Sequence, residues 1–481
     1  MSTYFGVGVV QRLASLALIP AFSFFITPAE MGVLAVLLAI EALLLVLFDG
    51  ALTSASVPYY FGRSRSTSER TISRVFIISA VVSAISGFII YGLIELTWNL
   101  WTTVPKPSPL ILAIVVVGAL TQRMNIFAQQ MYRNREQARA FAVMSLSRTA
   151  ALLVVSLILV GVFHLGLLGI VLGRLLASIV SGFRELKSLV RPALRPHSES
   201  SLEPLTPLLF LALPLLVQQL ATWARSFADK IVLSNLVPAA DVGLYFTAAL
   251  SGTSLSLIVV SFDSSFVTWY YNKRYKKLSD VHEITKIVSR VYIGCLGILC
   301  VFTMLSCPEI YFLIFKGGIS AAGNIAPFTL AAQYLGAAMA FAGRVLVVHG
   351  RARVIPSLGV VGIVVGLSAM IPLVGTFGVA AAASGAAITF LIVIVGGWAV
   401  VRRIEPPDFS LFQSLATTAL LGVFAMIIYR YGEPFVLSSM GLRLAAAALC
   451  VLAIAVIVGP TAWRKGFALF TSKLRGQSRS S

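Results

Sequence analysis

Acid is scarce in this chain. Asp and Glu number 18 against 37 Lys and Arg, and charged residues fill only 11% of the 481 positions, about half the share of an ordinary soluble protein. Such a composition excludes a globular surface wetted on all sides. Cysteine is equally sparse: Cys295, Cys300 and Cys450 lie inside apolar blocks and Cys307 at the edge of one. Their spacing suits neither a zinc site nor a disulfide framework. The four histidines (His164, His197, His282 and His349) are scattered at span ends and in loops. There is no GxxxxGK[ST] stretch to cradle ATP phosphates, so no cofactor and no metal are expected. Substantial outer loops are missing too. The longest, "CPEIYFLIFKGGISAAGNIAP", leaves no room for the catalytic residues of a glycan polymerase or ligase.

What the chain has in abundance is apolar sequence: 58% hydrophobic residues and a mean hydropathy of +0.93. The apolar runs are about 20 residues long, enough to cross a hydrocarbon core about 30 Å thick. They predict an all-α polytopic membrane protein with fourteen spans, near 4–26, 31–56, 72–96, 109–132, 140–163, 167–186, 207–236, 241–268, 286–306, 326–348, 354–372, 377–401, 411–430 and 440–460. The first block, Tyr4 to Ile26, carries Arg12 without a basic leader or a small-residue cleavage site, and reads as a retained span.

Charge alternates sharply between the connections. Loops such as "RNREQAR", "NKRYKKLSDVHEITK" and "HGRAR", with the tail and Arg290, hold 26 of the 37 basic residues; the opposite connections hold Lys106, Lys316, Arg430 and Arg443. The positive-inside rule then puts both termini in the cytoplasm. The net charge of +19 is thus mainly a topology signal. Membrane lipids are expected partners of the basic loops; nucleic acid is not.

Two segments resemble each other at a shift of 211 residues. "ITPAEMGVLAVLL", leading to "VPYYFGR", parallels "LVPAADVGLYFTAAL", leading to "TWYYNKR"; Gly32 falls on Gly243, Tyr59 on Tyr270, Tyr60 on Tyr271 and Arg63 on Arg274. Further on, Gly166 and Gly169 align with Gly375 and Gly378. The expectation is two six-helix lobes related by a pseudo-two-fold axis along the membrane normal. Residues 1–196 would form the first lobe and 197–401 the second, with two more spans and a basic tail in 402–481.

Charges inside spans are costly, about 2.5–3.5 kcal/mol each at a helix centre. Seven are basic: Arg12, Arg123, Arg148, Arg174, Arg225, Lys230 and Arg344. Four are acidic: Glu41, Asp49, Asp229 and Asp263. The basic excess suggests a cationic, wet cavity that attracts anions, where the guanidinium fork suits phosphate. Arg12, Arg123 and Arg174 lack an acid nearby in sequence. Arg225 and Asp229 stand at i and i+4, where a regular helix pairs them, and Lys230 is expected at the outer mouth. Glu41, Asp49 and Asp263 are candidates for ion coupling, the plainer reading being an ion pair with a neighbouring arginine. Pro20 and Pro214 are candidate hinges, the plainer reading being static kinks.

The stretches "VVQRLASLALIPAFSFFITPAEMGVLAVLLAI" and "FADKIVLSNLVPAADVGLYFTAALSGTSLSLIVVSF" resemble the Wzx-type oligosaccharide flippases, relatives of the MurJ lipid II flippases and MATE exporters in the multidrug/oligosaccharidyl-lipid/polysaccharide (MOP) superfamily. The pattern is carried by Asp229, Lys230, Pro238, Asp241, Val242, Gly243 and Tyr245, and in the first copy by Pro28 to Gly32. The resemblance implies a fourteen-helix transporter of the bacterial cytoplasmic membrane. It would move a polyprenyl-pyrophosphate-linked oligosaccharide outward by alternating access, for O-antigen, capsule or exopolysaccharide. It also implies functional arginines on the first helix of each lobe, here Arg12 and Arg225, and a glycan polymerase and chain-length regulator as partners. The competing readings are a small-molecule or drug exporter, which a cationic cavity disfavours, and a membrane glycan polymerase or ligase, which the short loops disfavour.

Overall fold

Backbone in hydrocarbon can satisfy its polar groups only within itself, so each apolar run is driven to become a helix. The computed structural model describes residues 2–61, 64–194, 206–275, 281–351, 353–407 and 409–477, and contains no strand among them. In chain order the helices are α1 (Ser2–Phe22), α2 (Pro28–Asp49), α3 (Leu52–Phe61), α4 (Arg65–Trp101), α5 (Pro109–Asn134), α6 (Ala138–Gly161), α7 (Gly166–Leu194), α8 (Thr206–Trp223) and α9 (Asp229–Leu233). They continue with α10 (Ala239–Tyr275), α11 (Val281–Ile314), α12 (Ala322–Val348), α13 (Val354–Phe377), α14 (Ala383–Arg402), α15 (Leu411–Tyr431), α16 (Leu437–Val458) and α17 (Pro460–Gln477). Among the described residues twelve helical stretches are long and apolar enough to cross a membrane, and two shorter apolar helices, Gly6–Phe22 and Gly166–Gly182, complete the fourteen. The polytopic all-helical fold is as expected.

The chain forms two compact units, Met1–Gly243 and Leu244–Ser481. In the first, α8 packs on α2 and α3, α5 on α2 and α7, and α1 on α6. Side chains stitch these helices: Asn125 donates to the Ser178 carbonyl at 2.8 Å and accepts from Ser181 Oγ at 2.6 Å. In the second, α13 lies against α14, and α15, α16 and α17 pack on α11. The close approach of α13 and α14 needs Gly366, where a Cβ would stand 2.4 Å from the Gly385 carbonyl oxygen.

The duplicated motif starts helices. Thr27 caps α2, with Pro28 in the first turn, and Glu30 returns a bond to the Thr27 amide at 2.8 Å, a complete capping box. Its second copy begins α10 at Ala239, again 211 residues later. The two starts meet within the first unit, and they meet reciprocally. A Cβ on Gly32 would lie 1.9 Å from the Ala239 carbonyl oxygen, and one on Gly243 would lie 2.2 Å from that of Pro28. Residues related by the shift thus exchange roles in one contact, as an isologous interface requires. Tyr59, Tyr60 and Tyr270 are buried and Tyr271 is partly so; Arg63 lies outside the described residues. Further on, Gly166, which opens α7, and Gly378, which follows α13, both have positive φ, 51° and 73°.

Two spans of the first unit are interrupted. The second breaks after Asp49, where Gly50 (φ 52°) and Ala51 (φ 58°) are both left-handed. The Asp49 carboxylate then caps α3, accepting from the Thr53 amide at 3.3 Å and from the Thr53 hydroxyl. The seventh widens into a π-helical turn at Ala224–Ala228 between α8 and α9. Helix α8 runs unbroken through Pro214, and Pro20 lies in the last turn of α1.

Candidate functional site

Charges buried in low dielectric need partners, and folding supplies most of them over long sequence distances. Arg174 on α7 reaches Glu41 on α2 through Nε at 3.0 Å and Nη2 at 2.9 Å. Arg148 on α6 is partly buried and lies within electrostatic reach of both. Arg123 on α5, 2% exposed, donates to Ser79 on α4, lies over the Phe76 ring at 5.3 Å and feels the charge of Asp49. Arg123 and Arg174 are therefore not acid-free, as their sequence surroundings suggested.

The second unit holds Arg344, which pairs with Asp263 and sits 4.7 Å from the centroids of both Phe266 and Phe341. All three candidate coupling acids, Glu41, Asp49 and Asp263, thus stand beside an arginine. A pair absent from the sequence reading is Arg443 to Glu309 at 2.6 Å, with Arg443 wholly buried. The charge pattern of the sequence puts Arg443 in an outer connection, where charge reads as solvated. Only the fold brings α11 and α16 together.

The expected pairing of Arg225 with Asp229 is not formed. Arg225 lies in the π-helical turn, whose wider winding spoils the i, i+4 alignment, and Asp229 instead binds its neighbour Lys230 at 3.0 Å. Lys230 also donates to the Ser226 carbonyl at 2.8 Å and is 6% exposed, so it is a buried, tied ammonium and not an open guard. Arg225 is exposed and makes no hydrogen bond or ion pair with a described residue; the same holds for Arg12 on α1. Of the seven intramembrane bases, those two are the freest.

Residues near both interruptions line one cavity of about 480 Å³. Its walls are Ala42 and Val46 from α2, Ser54 from α3, Gln218, Gln219 and Trp223 from α8 with Leu215 and Thr222, and Ser226 and Phe227 from the π-helical turn. No charged side chain lines it. Within the first unit, this cavity's lining thus mixes polar with apolar side chains and is neutral. Trp223 is fixed by an indole N–H to the Ala39 carbonyl at 2.9 Å, and Gln219 by its amide to Ser54 Oγ at 3.0 Å.

Residues 1–270, more than half of the chain, match the polysaccharide biosynthesis protein family. The chain belongs to that family. No curated protein matches it in sequence. Among solved structures, this family member is similar to the lipid II flippase MurJ in an inward closed conformation, at 16% identity and a TM-score of 0.65, over 94% of this chain and 97% of that one. An inward-facing multidrug resistance MATE transporter of the MOP superfamily gives 15% identity and 0.62, over 82% and 94%. A MOP superfamily transporter from Pyrococcus furiosus gives 14% and 0.52, over 83% and 93%. At these identities the likeness is one of fold. It fixes the helical architecture of this polysaccharide biosynthesis protein as that of MurJ and MATE.

Proposed function

We propose that the chain is a flippase that carries a polyprenyl-pyrophosphate-linked oligosaccharide across the bacterial cytoplasmic membrane by alternating access, in O-antigen, capsule or exopolysaccharide assembly. The observation that carries this reading is the pair of exposed guanidinium groups, Arg12 and Arg225, with no ion-pair partner among the described residues, on apolar helices of a polysaccharide biosynthesis family member. An intramembrane cation without a protein counter-ion calls for an anionic ligand, and a pyrophosphate offers oxygens for bidentate bonding. Arg148 belongs to the same headgroup-binding set. Arg123, Arg174 and Arg344, held near Asp49, Glu41 and Asp263, join it when those acids are neutralised, which makes these three the coupling groups to an ion gradient, and Lys230 joins it when Asp229 releases it. Pro20 and Pro214 serve as bending points. Both termini face the cytoplasm, and a glycan polymerase and chain-length regulator receive the product.

The test is complementation in cells lacking their own flippase. Arg225→Ala and Arg12→Ala should abolish surface glycan while membrane levels of the protein stay unchanged, because exposed side chains contribute within about 0.5 kcal/mol to stability. Full surface glycan in both variants overturns the reading. Orientation is checked separately by labelling single cysteines at the two ends with a membrane-impermeant reagent, which should leave both unmodified in intact cells.

A further inference from the structure

The neutral cavity of the first unit has mixed walls: Ala42, Val46 and Leu215 give it an apolar side, and the rest of its lining carries hydrogen-bonding groups and aromatic rings. Gln218 and Gln219 contribute side-chain amides, each both donor and acceptor, and Ser54, Thr222 and Ser226 contribute hydroxyls. Trp223 and Phe227 add flat apolar rings. Gln218, Thr222 and Ser226 rise along the same wall, and Ser226 and Thr222 spend their hydroxyl protons on the carbonyls of Thr222 and Gln218, at 3.0 and 2.9 Å. Their oxygens remain as acceptors. The Gln218 amide binds no described residue, and Gln219 uses one N–H on Ser54, which leaves its carbonyl oxygen and second N–H unspent.

These polar groups occupy a helix whose cytoplasmic half, as the basic loops orient it, exposes Phe210, Leu213 and Val217. The exposed polar residues run from Gln218 into the π-helical turn at Ala224–Ala228, and Gln219 meets Ser54 just beyond the Gly50–Ala51 break. Irregular backbone at membrane depth is tolerated where it lines a wet cavity, and transporters place substrates beside such discontinuous helices.

The lining discriminates among ligand classes. A cationic drug wants a carboxylate, and a lipid tail wants walls without amides. A phosphate wants the guanidinium of Arg225, which neighbours Ser226 in sequence but does not line the cavity. An uncharged sugar has hydroxyls that give and accept hydrogen bonds, and a ring face of C–H groups that packs on an aromatic. From this match we infer that the cavity bounded by Ser54, Gln218, Gln219, Thr222, Trp223 and Phe227 is a binding site for an uncharged sugar, separate from the arginines that hold phosphate. Its volume lies within the range of about 300–1,000 Å³ usual for small-molecule sites, so it takes a short sugar segment and not a whole chain. The identification of that sugar with the headgroup of a lipid-linked glycan rests on the flippase reading; the affinity for sugar does not.

The experiment uses the purified full-length chain in detergent, with thermal unfolding as readout and three probes: maltose, chitobiose and inorganic pyrophosphate. A ligand that binds the folded state raises its unfolding temperature. At least one sugar should stabilise the wild type, and Gln218→Met with Gln219→Met should weaken that sugar at least about tenfold, equivalent to about 1.4 kcal/mol, with pyrophosphate unchanged. Thr222→Val, isosteric and on an exposed wall position, should act in the same direction more weakly, and guards against a double variant that fails to fold. The proposal is overturned if neither sugar stabilises the wild type. It is also overturned if the variants leave the sugar effect intact or depress sugar and pyrophosphate equally. Sugar binding that depends on the glutamines, found together with full glycan export by Arg12→Ala and Arg225→Ala, would sink the flippase reading and leave this site standing.

Discussion

Helices α2–α3 and α10 are copies at a shift of 211 residues, and they differ where it matters. The first copy reads Asp49-Gly50-Ala51 and breaks; at the matching positions the second reads Val260-Ser261-Phe262 and runs on as one helix from Ala239 to Tyr275. An acid that can cap a new helix start and a glycine that accepts positive φ are the two ingredients of an interruption, and α10 has neither at the matching positions. What both copies keep is packing: the glycines of the reciprocal contact and the buried tyrosines. The two segments share a scaffold, and they diverge at the Asp49-Gly50 dipeptide. Among the described residues, the broken copy lines the neutral cavity and α10 does not.

The shared part of the comparison should be the most fragile. Gly32→Ala drives a methyl into the Ala239 backbone and should cost about 3 kcal/mol, at the upper end of overpacking penalties; Gly243→Ala should cost a similar amount, whereas Gly118→Ala, facing open space, should be neutral or stabilising. Thermal unfolding in detergent distinguishes the three, and tolerance at Gly32 would remove the reciprocal contact from the account. Next comes the differing part. Asp49→Ala removes the cap of α3 and the carboxylate nearest Arg123, and should cost about 2 kcal/mol in the same assay. Converting the first copy to the second with Asp49→Val and Gly50→Ser should straighten the span. Glycan export should then fall below detection with the protein still in the membrane; retained export would mean that the break is ornamental. The smallest effect belongs to the exposed pair of Lys465 and Glu283, at 2.9 Å, where Glu283→Gln should shift stability by less than about 0.5 kcal/mol.

The spans were readable because a bilayer imposes a length on every apolar run, and the fourteen expected stretches all appear as helices. The repeat was readable because glycines at close contacts admit no substitute. Ion pairs were not. Glu41 and Arg174 are 133 residues apart, and nothing in either neighbourhood marks the other; what decides their pairing is which faces of α2 and α7 turn inward. Arg225 and Asp229 failed for a different reason, since the i, i+4 rule presumes regular winding and the π-helical turn removes it. The Asp49-Gly50 break did leave a trace, an Asp-Gly dipeptide of the kind that marks turns, hidden by the apolar residues around it. The neutral cavity needs two separate interruptions to coincide in space, which no linear pattern records.

The wholly buried Arg443 ties α16 to Glu309 on α11, and this bears on how the last spans came to be kept. A chain ended after Arg402 would strand that carboxylate without its counter-charge and uncover the flank of α11 on which α15 and α16 rest. Although they lie outside the repeat, the terminal helices are structurally indebted to the body of the protein, and it to them. Shortening the protein to its repeat would forfeit a partner that the remaining helices no longer know how to replace.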